Sequence, residues 1–219
     1  MEFLDIVEKI EKRRDELKES DIVLDIVDYG AGKADEKRTK EQMKKGVELK
    51  VALSDFATIG VKKEKALQIY EIFQTLNPKT ILELGTCCGF SSSYMAHFLP
   101  ECKIYTIEGS ESLAKVAREN HKFFNLENIE VIEGRFDAIL DGVLDRISPI
   151  DFAFIDGHHN KEATLEYFKT ILPFMSGGGV MLFDDISWND SMKEAWREIL
   201  DSSVYESYTD YSWMGAIWL

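Results

Sequence analysis

The period of apolar and polar positions changes near residue 78. Before it, Phe3, Ile6, Val7, Ile10 and Leu17 recur at helical spacing between charged residues and predict an amphipathic helix over 2–19. Residues 22–27 read as a short strand or an extended segment. Residues 28–33, with Gly30 and Gly32, read as a turn. Residues 35–54 and 61–76 read as two further helices, parted by Gly60, the second closed by Asn77-Pro78. Beyond Pro78, short apolar runs alternate with amphipathic stretches. Strands are predicted at 80–84, 103–108, 129–133, 151–155 and 178–183, and helices at 91–98, 110–121, 136–143, 161–172 and 191–200. This alternation specifies right-handed βαβ units and a mostly parallel sheet covered on both faces. The chain thus divides into a helical segment, 1–77, and an α/β core, 78–219.

The most informative run is Ile81-Leu82-Glu83-Leu84-Gly85-Thr86-Cys87-Cys88-Gly89-Phe90-Ser91-Ser92. It reads as a buried strand, a glycine-bearing turn and the start of a helix. Such a turn brings backbone N–H groups and a helix N-terminus to a polar ligand. Its order, E-x-G-x-x-x-G, differs from the dinucleotide pattern G-x-G-x-x-G. Glu108 ends the next strand, where a carboxylate is placed to accept hydrogen bonds from ribose hydroxyls. Turn and acid together argue for a nucleoside-containing cofactor. Glu133, Asp156, Asp184 and Asp185 fall at the other strand ends, and such a gathering of acids needs solvent, a ligand or a cation. Asp156, Asp184 and Asp185 are oxygen donors suited to a hard divalent cation such as Mg²⁺. The alternative is that Asp184 or Asp185 caps the helix start near Ser187-Trp188.

These residues resemble the class I S-adenosylmethionine-dependent methyltransferases. The narrower resemblance is to the small O-methyltransferases of the catechol and caffeoyl-CoA type, and to the related bacterial and archaeal family with the strand-end motif Phe154-Ile155-Asp156-Gly157-His158-His159. It covers roughly residues 78–219. It implies a Rossmann-like seven-stranded sheet, mostly parallel, with helices on both faces. The last strands, about 203–209 and 214–219, would be its antiparallel edge pair. Apart from the resemblance, the apolar helix faces of the N-terminal segment need a partner, so it is expected to act as lid and dimer surface.

The resemblance also implies S-adenosylmethionine as cofactor. Gly85, Cys87 and Ser91 would line its methionine part, Thr86 and Gly89 would bind the cofactor from the same turn, and Glu83 would orient the turn or the ammonium group. Glu108 would take the ribose, Gly134 and Phe136 would flank the adenine, and Asp156 would close the site. Phe136 stands where the catechol enzymes carry a small polar residue. The implied metal ligands are Asp156, Asp184 and Asp185, the last in place of the relatives' Asn. His159 lies three residues past Asp156, where the catechol-type pattern has a lysine that takes the substrate proton. A neutral imidazole suits that role near pH 7. His158 would instead touch metal or substrate. The implied reaction is methyl transfer to a small hydroxylated molecule, with Tyr29, Phe56, Trp188 and Trp213 shaping a pocket or packing the core.

Composition narrows the alternatives. The net charge of −14 opposes general nucleic-acid binding. The excess is uneven, because residues 1–60 carry 12 basic and 15 acidic side chains and most of it falls beyond them. The sequence has no apolar run of a length to span a membrane, and its charged N-terminus lacks a signal-peptide core. Three cysteines, two of them adjacent, fit a reducing compartment, and the cytoplasm is expected. A non-catalytic adenosyl-binding protein and a nicotinamide oxidoreductase are the competing readings. The first is opposed by the intact Gly85, Gly89, Glu108 and Asp156, the second by the glycine spacing.

Overall fold

Helix α1 (Phe3–Lys18) buries Ile6, Val7, Ile10 and Leu17, the stripe its spacing predicts. The computed structural model describes residues 2–30, 32 and 38–219. The predicted turn at 28–33 and the start of the helix predicted at 35–54 lie partly outside them. Strand β1 (Val23–Asp28) pairs antiparallel with β2 (Val47–Ala52), Val23 facing Ala52 and Asp28 facing Val47. The helix predicted at 35–54 is therefore corrected. Among the described residues of that stretch, α2 (Lys40–Lys45) and α3 (Leu53–Ala57) are helical, on either side of β2. Gly46, at φ 81°, ends α2. Beyond it Val47, Leu49 and Val51 alternate with Glu48 and Lys50, a period of two that favours a strand once a partner is at hand. Helix α4 (Lys63–Leu76) then leads to the sheet, and Asn77 closes it in the left-handed conformation.

The core alternates as predicted. Its elements are β3 (Thr80–Leu84), α5 (Phe90–Phe98), β4 (Lys103–Glu108), α6 (Glu111–Phe124), β5 (Ile129–Glu133), α7 (Phe136–Ile147), β6 (Ile150–Ile155), α8 (Lys161–Ile171), β7 (Met175–Phe183), α9 (Asp190–Asp201), β8 (Ser207–Asp210) and β9 (Gly215–Trp218). The seven-stranded sheet runs β5-β4-β3-β6-β7-β9-β8. Pairing is parallel from β5 to β7, and β9 joins β7 and β8 antiparallel. The strand predicted from 203 begins only at Ser207, after a left-handed Ser203.

Alternate strand residues feed two packing layers, as the pleat requires. Ile81, Ile104, Phe152 and Val180 face α1, α4 and α5, while Leu82, Leu84, Ala153 and Met181 face α7, α8 and α9. The amphipathic stripe of α1 therefore lies in the chain's own core. Among the described residues, no helix is long and apolar enough to cross a membrane. Strand order reverses between β3 and β6, and ligands of such sheets bind beyond the strand ends at that point.

Candidate active site

Two strands leave the sheet side by side at this switch point, and glycine lets them do so. Gly85 has φ +99°, and a Cβ there would lie 2.1 Å from the Asp156 carbonyl oxygen. The Asp156 N–H donates to the Leu84 carbonyl at 2.9 Å, and the Gly85 N–H to that of Ile107 at 3.1 Å. Cys87 follows at φ 49°, a conformation rare for a residue with a side chain. Its N–H donates to Glu108 Oε2 at 2.9 Å, and that of Ser110 to Oε1 at 2.9 Å. Burial raises the Glu108 carboxyl above its ordinary value, opposed by these donors.

Beneath the turn is a polar layer. Glu83 is fully buried and accepts from the Thr106 hydroxyl at 2.5 Å, while Thr86 and Thr106 share a hydrogen bond of 2.6 Å. Burial pushes the Glu83 carboxyl up to about 7, with the hydroxyls of Ser91, Thr106 and Ser92 opposing. Gly89 meets α6 rather than the crevice, since a Cβ there would sit 2.6 Å from His121 Nε2. Glu83, Thr86, Gly89 and Ser91 thus build the turn from below. Gly85, Cys87, Glu108, Gly134, Phe136 and Asp156 line a crevice of about 1810 Å³. Tyr29, Phe56, Trp188 and Trp213 line it as well.

At the other end stand Asp156, His158, His159, Asp184 and Asp185. His158, His159 and Asp185 all have positive φ, at 63°, 43° and 53°. The two histidines point apart. His158 Nδ1 bonds the Tyr167 hydroxyl at 2.5 Å, and its ring meets Phe136 edge-on at 5.5 Å. Burial holds its pKa below the ordinary value, so it is neutral near pH 7. His159 turns instead toward the acids. Its Nε2 lies 3.7 Å from Asp156 Oδ1 and its Nδ1 3.7 Å from Asp185 Oδ2, with the Trp188 ring beside it at 5.5 Å. Burial and the Asp184 and Asp185 carboxylates push Asp156 well above the carboxylate range.

One member of this group carried no signal in the sequence. Lys65, from α4, places Nζ 2.5 and 2.7 Å from the two Asp184 carboxylate oxygens and 3.3 Å from Asp185 Oδ1. Burial pulls the ammonium down, but Asp184 and Asp185 outweigh it and hold its pKa above the ordinary lysine value. In the run Lys62-Lys63-Glu64-Lys65 it reads as one more solvated charge. Tyr167, the partner of His158, was equally invisible among the apolar positions of its helix.

Residues 82–186 match the family model described as a methyltransferase domain. A catechol O-methyltransferase of Niastella koreensis is 30% identical over 132 residues, 59% of this chain and 58% of the relative. Catechol O-methyltransferase B of Danio rerio is 28% identical over 58% of this chain and 50% of its own length. The chain therefore spans between half and three fifths of these two relatives. An O-methyltransferase of Bacillus cereus, solved in complex with SAH, superposes with a TM-score of 0.62 at 24% identity, covering 73% of this chain and 83% of that one. Sheet order, glycine turn and family match agree: residues 82–186 match a methyltransferase domain, and the chain is similar in sequence to O-methyltransferases of the catechol type.

Proposed function

We propose that this chain is an S-adenosylmethionine-dependent O-methyltransferase acting on a small hydroxylated molecule. The observation that carries this reading is the position of His159. It lies between Asp156 and Asp185 at one end of a crevice whose other end is the Gly85–Cys87 turn and Glu108. When bound, the cofactor supplies an electrophilic methyl group on sulfur. The residues present fit it. Each Glu108 oxygen accepts one backbone N–H and keeps a lone pair for a ribose hydroxyl. A Cβ at Gly85 would strike the Asp156 carbonyl, so glycine is what lets the turn and the Asp156 strand end meet at the crevice.

The chain's own work is to position the acceptor and take its proton. The acceptor's hydroxyl proton would pass to the His159 imidazole as its oxygen takes up the methyl group. The imidazolium so formed lies 3.7 Å from Asp185 Oδ2, whose negative charge stabilises it. The aromatic rings of Phe56, Trp188 and Trp213 bound the acceptor's side of the crevice. A divalent cation on Asp156, Asp184 and Asp185 does not fit this arrangement, because the Lys65 ammonium already holds the oxygens such an ion would need.

We also infer that residues 1–77 both cover the crevice and pair two copies of the chain. Leu4, Ile22, Val23 and Ile59 are exposed apolar side chains on that segment. A monomer mass by light scattering would refute the pairing. The three cysteines, all unpaired, suit the cytoplasm. Calorimetry with S-adenosylhomocysteine and with a nicotinamide dinucleotide tests the cofactor. Transfer of labelled methyl to a panel of phenols and sugars tests the chemistry. Binding of the nicotinamide compound alone would sink the reading.

A further inference from the structure

Asp156, Asp184 and Asp185 converge where β6 and β7 end, and a hard divalent cation would need several of their oxygens at about 2.0–2.6 Å around one point. Instead a side chain from outside the core fills that place. Helix α4, in the N-terminal segment, lays Lys65 across the strand ends. Its Nζ is bound by both oxygens of Asp184, at 2.5 and 2.7 Å, and by Asp185 Oδ1 at 3.3 Å. The Asp184 side chain is 3% exposed, so this pair is shielded from competing water and salt. The Asp185 N–H adds a further bond to Asp184 Oδ1 at 2.8 Å. An ammonium and a divalent ion cannot share these oxygens, since like charges a few ångströms apart repel strongly where water is scarce. Among the described residues, no group of three or more His, Cys, Asp or Glu side chains is disposed to hold a metal ion.

We propose that Lys65 is the resident cation of this acidic cluster, so that the chain works without a divalent metal. This rests on the methyl-transfer reading only for what the cluster serves; the occupancy itself stands on the geometry. Lys65 is then a positioning residue. It holds Asp184 and Asp185 with the charge a metal would otherwise supply, and through Asp185 it sets the carboxylate that faces His159. It also couples the site to the N-terminal segment, because the cation arrives on α4 rather than from solution.

Titration with Mn²⁺, followed by loss of the free-ion electron paramagnetic resonance signal, tests this on the full chain without acceptor or cofactor. The parent protein is expected to bind Mn²⁺ at this cluster only weakly, at millimolar concentrations or above. Lys65→Ala is expected to bind it roughly a hundredfold more tightly than the parent, and Lys65→Ala with Asp184→Asn to lose that gain. Lys65→Arg, which keeps the charge, should exclude the ion as the parent does. Tight binding of Mn²⁺ by the parent, removed by Asp184→Asn, would overturn the proposal without needing any lysine variant to fold. A folded Lys65→Ala that gains no Mn²⁺ affinity would overturn it as well. Calorimetry with S-adenosylhomocysteine on the same samples reports separately on the methyltransferase reading, so the two can fail independently.

Discussion

Two adjacent histidines in this site have opposite surroundings, and their variants should separate accordingly. His159 faces two carboxylates and the crevice, so His159→Ala should lower kcat by about 10²–10⁴ and leave S-adenosylhomocysteine affinity nearly unchanged. His158 is bound by Tyr167 and packed on Phe136, away from those acids. His158→Ala should therefore cost far less in kcat, and steady-state kinetics on both variants decides. Equal rates for both and for the parent would remove the histidine from the chemistry. Gly85 admits no such substitution. Its Cβ would collide with the Asp156 carbonyl, and φ there is already left-handed. Gly85→Ala should abolish cofactor binding in calorimetry even where circular dichroism still reports a folded sheet. At Glu108, removal of the carboxylate should weaken the cofactor by roughly 1.5–3 kcal/mol for each ribose bond lost.

Among the elements, α1 is built into the core. Its stripe joins the layer that holds Ile81 and Phe152, and its buried Arg14 fastens it there. The guanidinium donates to the carbonyls of Ala57, Ile59 and Val61 at 3.1, 2.7 and 2.5 Å, lies 4.0 Å over the Phe90 ring and pairs with Glu11 at 3.0 Å. These carbonyls lie at the end of α3 and just beyond it, where the chain turns toward α4 and Lys65. Arg14→Met would leave them without a donor and Glu11 without its cation. A loss of about 3–5 kcal/mol is expected, read from the urea midpoint at constant slope. A shift below 1 kcal/mol would mean that water replaces the arginine. The hairpin β1–β2 and α3 differ from α1, for their residues reach the crevice itself.

For the molecule as a whole, two buried groups pull stability in opposite directions with pH. Burial lowers the His121 pKa to about 4, despite a hydrogen bond to the Gly89 carbonyl. Between pH 4 and 6.5 the unfolded chain therefore binds a proton that the folded chain refuses, and stability falls as pH drops through that window. Glu83, at about 7 when folded, does the reverse between about 4.5 and 7, because there the folded chain holds the extra proton. A parent curve flat across this range would conceal both. His121→Gln should expose the first, since the advantage of the parent over the variant shrinks by roughly 3 kcal/mol between pH 7 and pH 4. Urea titrations at the two pH values measure it, and a constant difference would show that His121 is hydrated rather than buried.

What the sequence determined by itself was local and periodic. Apolar runs marked β3 to β7, helical spacing marked α1 and α4 to α9, and the order E-x-G-x-x-x-G with Glu108 marked the crevice, because each signal resides in neighbouring residues. Three things waited for the tertiary structure. The strand β2 falls inside a predicted helix because its alternation is only six residues long and follows a helical stretch, and it takes β1 alongside to hold it extended. The division of the glycine-turn residues into those facing the crevice and those buried beneath it depends on how β3 sits against β4 and α6. Lys65 lies 119 residues from Asp184, and nothing within its own helix distinguishes it from Lys62 or Lys63. Its role arises from the packing of α4 across the strand ends, which fixes where the charge falls, and charge in a desolvated cluster is a property of the assembled fold.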